Sequence, residues 1–226
     1  PNCPQGSDLI ANLRQAYGER LVTVAYHTNF LGTPINPDID LRTSEGQQIE
    51  AFLGTYLEKP SATIDRVKFP DQNYTFLDKN FWSSFVQERL AVETPISIKQ
   101  QLQFNASSRL LSVTVTLTPN QDYSGSLKLS SMITESHIIA PQINGQVTID
   151  NYEHNHILRH VLSETLGDAL PTTWTKGQAI TRNYTYILPD QTSVWWNATN
   201  CAVVSFVSKS EADVKEVLDA TESKIQ

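Results

Sequence analysis

The apolar positions of this chain follow two rhythms. Near the N-terminus the spacing is helical. Leu9, Ile10, Leu13, Ala16 and Tyr17 share one face of a helix that starts at Cys3-Pro4 and closes at Gly18. A continuous apolar run from Leu21 to Tyr26 predicts a buried strand. Residues 28–42, broken by Pro34, Asn36, Pro37 and Asp38, predict a loop. A second helix begins at Ser44, with Gln47 as its capping-box partner and Ile49, Phe52, Leu53 and Tyr56 on its apolar face. Pro60 then opens a strand that runs through Asp65, because proline has no N–H to give to the middle of a ladder.

After Asp78 a third helix carries Phe81, Trp82, Phe85, Val86 and Leu90 on one face. The period then drops to two. Ile96, Ile98, Leu102 and Phe104 alternate, as do Leu111, Val113, Val115 and Leu117 after the turn at Asn105, and Leu127, Leu129 and Ile133 after the turn ending at Gly125. Ile180 to Leu188 predicts a later strand, and the spacing of these short strands predicts a small β-sandwich. At the C-terminal end Cys201 to Ser208 predicts a strand. A last helix is predicted from Ser210, with Val214, Val217, Leu218 and Ile225 on one stripe.

The terminal elements fit a thioredoxin-like order, with Cys3 as the second half of a Cys-x-x-Cys-Pro turn whose first strand and first cysteine lie upstream of Pro1. The expected class is therefore α+β. A thioredoxin-like domain at residues 1–77 and 198–226 is interrupted at 78–197 by a helix and an Ig-like β-sandwich. The upstream strand would lie between the strands at 21–26 and 60–67, so those two should flank a gap that something must fill.

The net charge of −7 and the scatter of the 17 Lys and Arg argue against a phosphate-backbone binder. No apolar stretch reaches 18 residues, so no transmembrane helix is expected, and no signal peptide is seen in the chain as given. Two cysteines, Cys3 and Cys201, are too few for a disulfide framework. Cys201 reads as a small buried hydrophobe. Four Asn-x-Ser/Thr triplets, at Asn73, Asn105, Asn183 and Asn197, matter only in a eukaryotic secreted protein.

A set of ordered motifs carries a resemblance. Asn2-Cys3-Pro4 before a helix, Leu21-Val-Thr-Val-Ala-Tyr-His27, Asp40-Leu-Arg-Thr-Ser-Glu-Gly46 and Pro60 opening a strand resemble the Omp28-related outer-membrane lipoproteins of the Bacteroidetes. His154-Asn-His-Ile-Leu-Arg159, Asn200-Cys-Ala-Val-Val-Ser-Phe-Val207 and Glu216-Val-Leu-Asp-Ala220 are similar to the same family. The resemblance implies a thioredoxin-like domain with an inserted Ig-like sandwich, a lipid anchor on an upstream cysteine and an outer-membrane location. The first cysteine of the turn is not in this chain, and Lys59 precedes the presumed cis-proline where redox-active thioredoxins carry a small or β-branched residue.

The chemistry the residues offer is sparse. Thiol–disulfide exchange would use Cys3 and Pro60, but the attacking thiol of such a turn is its first cysteine. The competing reading is a structural disulfide on a fold used as a scaffold. Lys59 either lowers a nearby thiol pKa or points to solvent, and solvent is the reading taken. His154, His156 and His160 are the candidates for a metal, with His156 and His160 on one face if 155–163 is helical; a hydrogen-bonded corner explains them as well. His27 and His137 read as structural or solvated. No nucleophile elbow or phosphate-cradling loop exists, and no cofactor is implied. The aromatic set Trp174, Tyr184, Tyr186, Trp195 and Trp196 offers either a recognition surface or core packing. The function expected is a binding or accessory role at the cell surface, toward a protein, peptide or glycan, with thiol–disulfide exchange as the alternative.

Overall fold

The computed structural model describes residues 3–190, 196–211 and 213–226. Helix α1 (Cys3–Tyr17) buries Leu13 and lays Leu9, Ile10 and Tyr17 against a cluster built on Phe69, Leu77, Trp82 and Val86. Ala16, expected on that face, is exposed. Gly18 ends the helix with φ +57°, a conformation that costs glycine nothing. Helix α2 (Ser44–Leu53) is capped by Thr43, not by Ser44: the Thr43 hydroxyl accepts from the Gly46 N–H at 2.9 Å. Its buried face is Ile49 and Leu53, as its periodicity predicts. Helix α3 (Trp82–Arg89) buries Trp82 and Val86.

Strands β1 (Ser61–Ala62) and β2 (Leu77–Asp78) form a two-residue antiparallel ladder, which is all that remains of the strand expected from Pro60. Residues 21–27 are extended but touch other strands only through isolated parallel bridges, Ala25 to Ile157 and His27 to Arg42.

The rest is an antiparallel sandwich. One sheet joins β3 (Ile96–Asn105), β4 (Leu110–Pro119) and β12 (Ile180–Ile187) in the order β12-β4-β3. The facing sheet is built on β6 (Leu127–Glu135) and β13 (Cys201–Lys209). It adds β14 (Val217–Lys224), β9 (Ile157–Val161) and β10 (Asp168–Ala169). The short ladder of β5 (Tyr123–Ser124) with β11 (Thr173–Trp174) and the hairpin of β7 (Ile138–Asn144) with β8 (Val147–His154) lie outside both sheets.

β4 alternates strictly, with Leu111, Val113, Val115 and Leu117 turned into the core between the sheets. β13 does not alternate, because both of its faces are covered. Cys201, Val203 and Val207 belong to the inter-sheet core, whereas Val204 and Phe206 pack with Ile49 and Leu53 of α2. The molecule is thus layered: sheet, sheet, then α2 with the extended chain at 22–26. Where β6 and β13 meet, Ser131 and Ser205 are paired in register, fully buried, with their hydroxyls 2.9 Å apart.

Three expectations are corrected here. The last helix is a strand: Val217–Lys224 pairs antiparallel with β13, and Lys209 N–H donates to Glu216 C=O to close the hairpin. An open edge on β13 overrides the helical propensity of Glu, Lys and Ala. Cys201–Ser208 and the residues after it, expected to return to the N-terminal unit, pair inside the sandwich instead. His156 and His160 are not on a helix; His156 has φ +60° and His160 lies in β9.

Candidate functional site

Between α1, the extended chain at 21–28 and the segment at 59–65 lies a cavity of about 400 Å³, within the size range of ligand pockets. Its walls are mostly apolar: Leu13 and Val86 on one side, Ile49 and Leu53 of α2 on the other. Seven consecutive residues, 59–65, line it, and so do residues 21–28 without a break. The segments at 21–26 and 60–67 therefore flank a gap, as the sequence order requires, and are not paired to each other.

Cys3, which opens α1, lines the cavity, and Pro60, joined to Lys59 by a cis peptide bond, packs against α1 at Gly6. The fit is close: a Cβ on Gly6 would stand 3.0 Å from Pro60 Cγ and 3.2 Å from Trp82 Cη2. Burial pushes the Cys3 thiol above its usual pKa, against the pull of Lys59. A helix start alone would have lowered it. Lys59 does not point to solvent. Its ammonium pairs with Glu50 at 2.6 Å, donates to Thr28 Oγ1 and lies 4.8 Å from the Tyr56 ring centroid.

His27, read as structural or solvated, lines the same cavity with its ring edge-on to His154, centroids 5.3 Å apart. Its Nδ1 is shielded from solvent and has no partner among the described residues. Burial, then the neighbouring His154, lowers its pKa to about 4. The sequence singled out Lys59 by its place before Pro60 but not its partners, and for His27 an isolated histidine after an apolar run was the one available signal.

The three candidate metal ligands have three separate partners. His154 Nε2 is 3.3 Å from the Ala140 carbonyl, His156 Nδ1 3.9 Å from Glu222 and His160 Nδ1 3.5 Å from Glu45. No group of three metal-ligating side chains occurs among the described residues. The aromatic set is core: Trp174 and Trp196 are buried, Tyr186 stacks on His160 at 4.2 Å, and the Tyr184 hydroxyl donates to Asp168 at 2.7 Å. Trp195 lies outside the described residues. Cys201 is buried in the sandwich, its thiol pushed up to about 12 by burial, then by the charge of Glu135. His137 is exposed beside Glu153 at 3.1 Å.

Some of the exposed apolar side chains lie around this cavity. Leu31 and Ile35, from the loop at 28–42, and Ile143, from the β7–β8 hairpin, are each more than a third exposed and rim the cavity. Ile139 and Val147 extend the apolar surface of that hairpin. Sequence reasoning missed this rim, although Leu31 and Ile35 in a Pro- and Asn-rich loop were a visible irregularity.

Fold and site together define a mixed helix-and-strand protein with a ligand-sized, mainly apolar cavity beside a β-sandwich. The family described as Outer membrane protein Omp28 matches residues 55–226, and the chain belongs to that family. Among solved structures it is similar to HBP35 of Porphyromonas gingivalis, with 16% identity and a TM-score of 0.75 over 99% of this chain and 70% of that one. It also matches a domain of the outer membrane lipoprotein Omp28 from Porphyromonas gingivalis, with 16% identity and a TM-score of 0.39, over 59% of this chain and 89% of that one. No curated protein matches it. No helix among the described residues is long and apolar enough to cross a membrane.

Proposed function

We propose that this is a lipid-anchored protein of the outer membrane with a binding or accessory role, and that it docks a protein partner through the apolar rim of its cavity. The rim carries the reading: Leu31, Ile35 and Ile143, from two separate loops, expose apolar surface around one opening. Apolar patches of this kind mark interaction sites on soluble domains. Aliphatic side chains favour a protein or peptide over a glycan, which would call for exposed aromatic platforms. The finer architecture, a thioredoxin-like helical corner joined to an Ig-like sandwich, is supported by the packing of Pro60 on Gly6 and by the two facing sheets.

Cell fractionation with protease treatment of intact cells tests the location. A photo-crosslinker at Val147, with and without Ile35→Asp and Ile143→Asp, tests the docking. The expected result is an envelope protein with one crosslinked product that the double variant loses; crosslinking that ignores the double variant overturns the rim.

Thiol–disulfide exchange has one observation in its favour: Cys3 opens α1 beside Lys59 and Pro60. It needs the cysteine ahead of Pro1 as nucleophile. A reversible couple above about −230 mV would support it, and a pair that stays oxidised below about −300 mV would be a staple.

A further inference from the structure

The tip of the β7–β8 hairpin carries a dipeptide found nowhere else in the chain. Of the asparagines in the sequence, only Asn144 is followed by glycine. Asn144 ends β7 opposite Val147, so Gly145 and Gln146 make a two-residue turn. Gly145 takes its first central position with φ +64°, a region glycine enters at no steric cost. A Cβ there would meet nothing within 4 Å, so the tip stands clear of the rest of the molecule. The ladder behind it is short. Its register shifts between Ala140 and Gln142, which leaves three residue pairs out to the tip, and the hairpin belongs to neither large sheet. A ladder end with this little cover opens easily. Asn155 makes the contrast. Its side chain accepts from His137 N–H at 3.0 Å and donates to Glu153 at 3.0 Å. The Asn144 side chain makes no hydrogen bond among the described residues.

We propose that Asn144 is a self-modification site, an asparagine that deamidates through its own backbone and puts a carboxylate into the docking rim. When the tip opens, the Gly145 nitrogen gives its proton to water and attacks Asn144 Cγ. The new C–N bond closes a five-membered imide. The Cγ–Nδ2 bond breaks, and that nitrogen takes up a proton and leaves as ammonia. Water then adds to one imide carbonyl and opens the ring, to aspartate or to isoaspartate. Water is the only co-reactant. Glycine at 145 helps twice: it has no Cβ to hinder the attack, and its backbone turns freely into the ring. In the closed hairpin the extended Asn144 backbone keeps the Gly145 nitrogen away from Cγ, so the rate follows the opening of the tip. The consequence rests on the docking role proposed for the rim. Opposed residues of a ladder share a face, with Cβ atoms about 5 Å apart. The carboxylate therefore stands beside Val147, which is 65% exposed, and next in the chain to Ile143. A partner that covers these side chains would have to strip water from the new charge, which opposes docking. Isoaspartate also adds a methylene to the backbone and breaks the Asn144–Val147 register. The site is a one-way switch that retires the rim as the protein ages.

Incubation of the purified chain in warm, mildly alkaline buffer, followed by peptide mass spectrometry, tests the modification. The expected result is deamidation confined to the peptide that holds Asn144, divided between aspartate and isoaspartate and faster as pH rises. It should be lost in Asn144→Gln, whose longer side chain would have to close a six-membered ring. Earlier deamidation at another asparagine, or an equal rate at Asn144→Gln, overturns the site. The photo-crosslinker at Val147 in cells tests the switch. Asn144→Asp should lose the crosslinked product and Asn144→Gln should keep it; a product that survives Asn144→Asp overturns the switch. If Asn144→Gln gives no product either, the docking role fails and the switch with it, while the mass result decides the modification by itself.

Discussion

The sandwich and the helical half solve the same problem in opposite ways. In the sandwich, backbone groups are satisfied by long ladders: β3 and β4 pair over ten residues each, and β6 and β13 over nine. Its core side chains are sealed between two sheets and α2. In the helical half the ladder found among the described residues is two residues long, and the chain at 21–28 and 59–65 borders a cavity. A unit of the first kind specifies itself. One of the second kind leaves apolar surface around an opening, which is where an envelope protein has room for a partner.

That contrast is broken most directly from the sandwich side. Ile133 has no exposed surface and sits in the inter-sheet core. Ile133→Ala removes buried methylenes and leaves a hole that rigid ladders cannot close, at an expected cost of about 2–5 kcal/mol. Urea denaturation should show one earlier transition for the whole chain; a loss below about 1 kcal/mol would mean the sandwich repacks freely.

The next effect belongs to the cavity. The His27 pKa is lowered from 6.5 to about 4 by burial and by His154. In the unfolded chain the ring takes up its proton near pH 6.5; in the folded protein it resists until about pH 4. The unfolded state therefore binds more protons across that window, and stability falls as pH drops from 6.5 to 4. The upper bound is about 3 kcal/mol, reduced by the ring's partial exposure. The gap between urea midpoints at pH 7 and pH 4.5 should narrow in His27→Gln, with part of it kept by His156, whose pKa burial also lowers to about 4; an unchanged slope would place the pH dependence on other groups.

The buried serine pair sharpens the account of the sandwich. Ser131→Ala strands the Ser205 hydroxyl inside the core, at about 1–3 kcal/mol. Ser131→Ala with Ser205→Ala leaves no orphan and should cost less than the sum of the two single changes. A double-mutant cycle measures the difference, and strict additivity would show that the 2.9 Å contact carries no energy.

What the sequence made legible follows the same division. Alternation located β3 and β4, because one face of each is more buried than the other, and β6, whose apolar residues alternate although both of its faces are covered. Helical spacing located α1, α2 and α3. The C-terminal strand was misread because Glu216–Lys224 has the composition of a helix and becomes a strand only when β13 offers an edge. That is a non-local fact, invisible to a local pattern. The apolar run at Cys201–Ser208 predicts a strand, which it is, but its neighbours β6 and β14 cannot be named from its own residues. In the site, Pro60 and Cys3 were legible from a turn motif. The inward turn of Lys59 was not, because its partners Glu50 and Thr28 lie 9 and 31 positions away.

The smallest effect tests whether the two regions open independently. Thr43 caps α2 through one hydrogen bond to the Gly46 N–H. α2 is the layer that seals the outer face of β13 while also walling the cavity, through Ile49 and Leu53. Thr43→Ala should cost about 1 kcal/mol. If α2 belongs energetically to the sandwich, the loss appears in the global denaturation midpoint. If it belongs to the helical half, amides of α2 and of residues 21–28 exchange faster while those of β6 and β13 stay protected. The second outcome is expected, because α2 meets the sheet through a few side chains, Ile49, Phe52, Leu53 and the Glu45–His160 pair, and no ladder, while it also walls the cavity. Uniform acceleration across β13 would make the protein one cooperative unit and remove the distinction between its two halves.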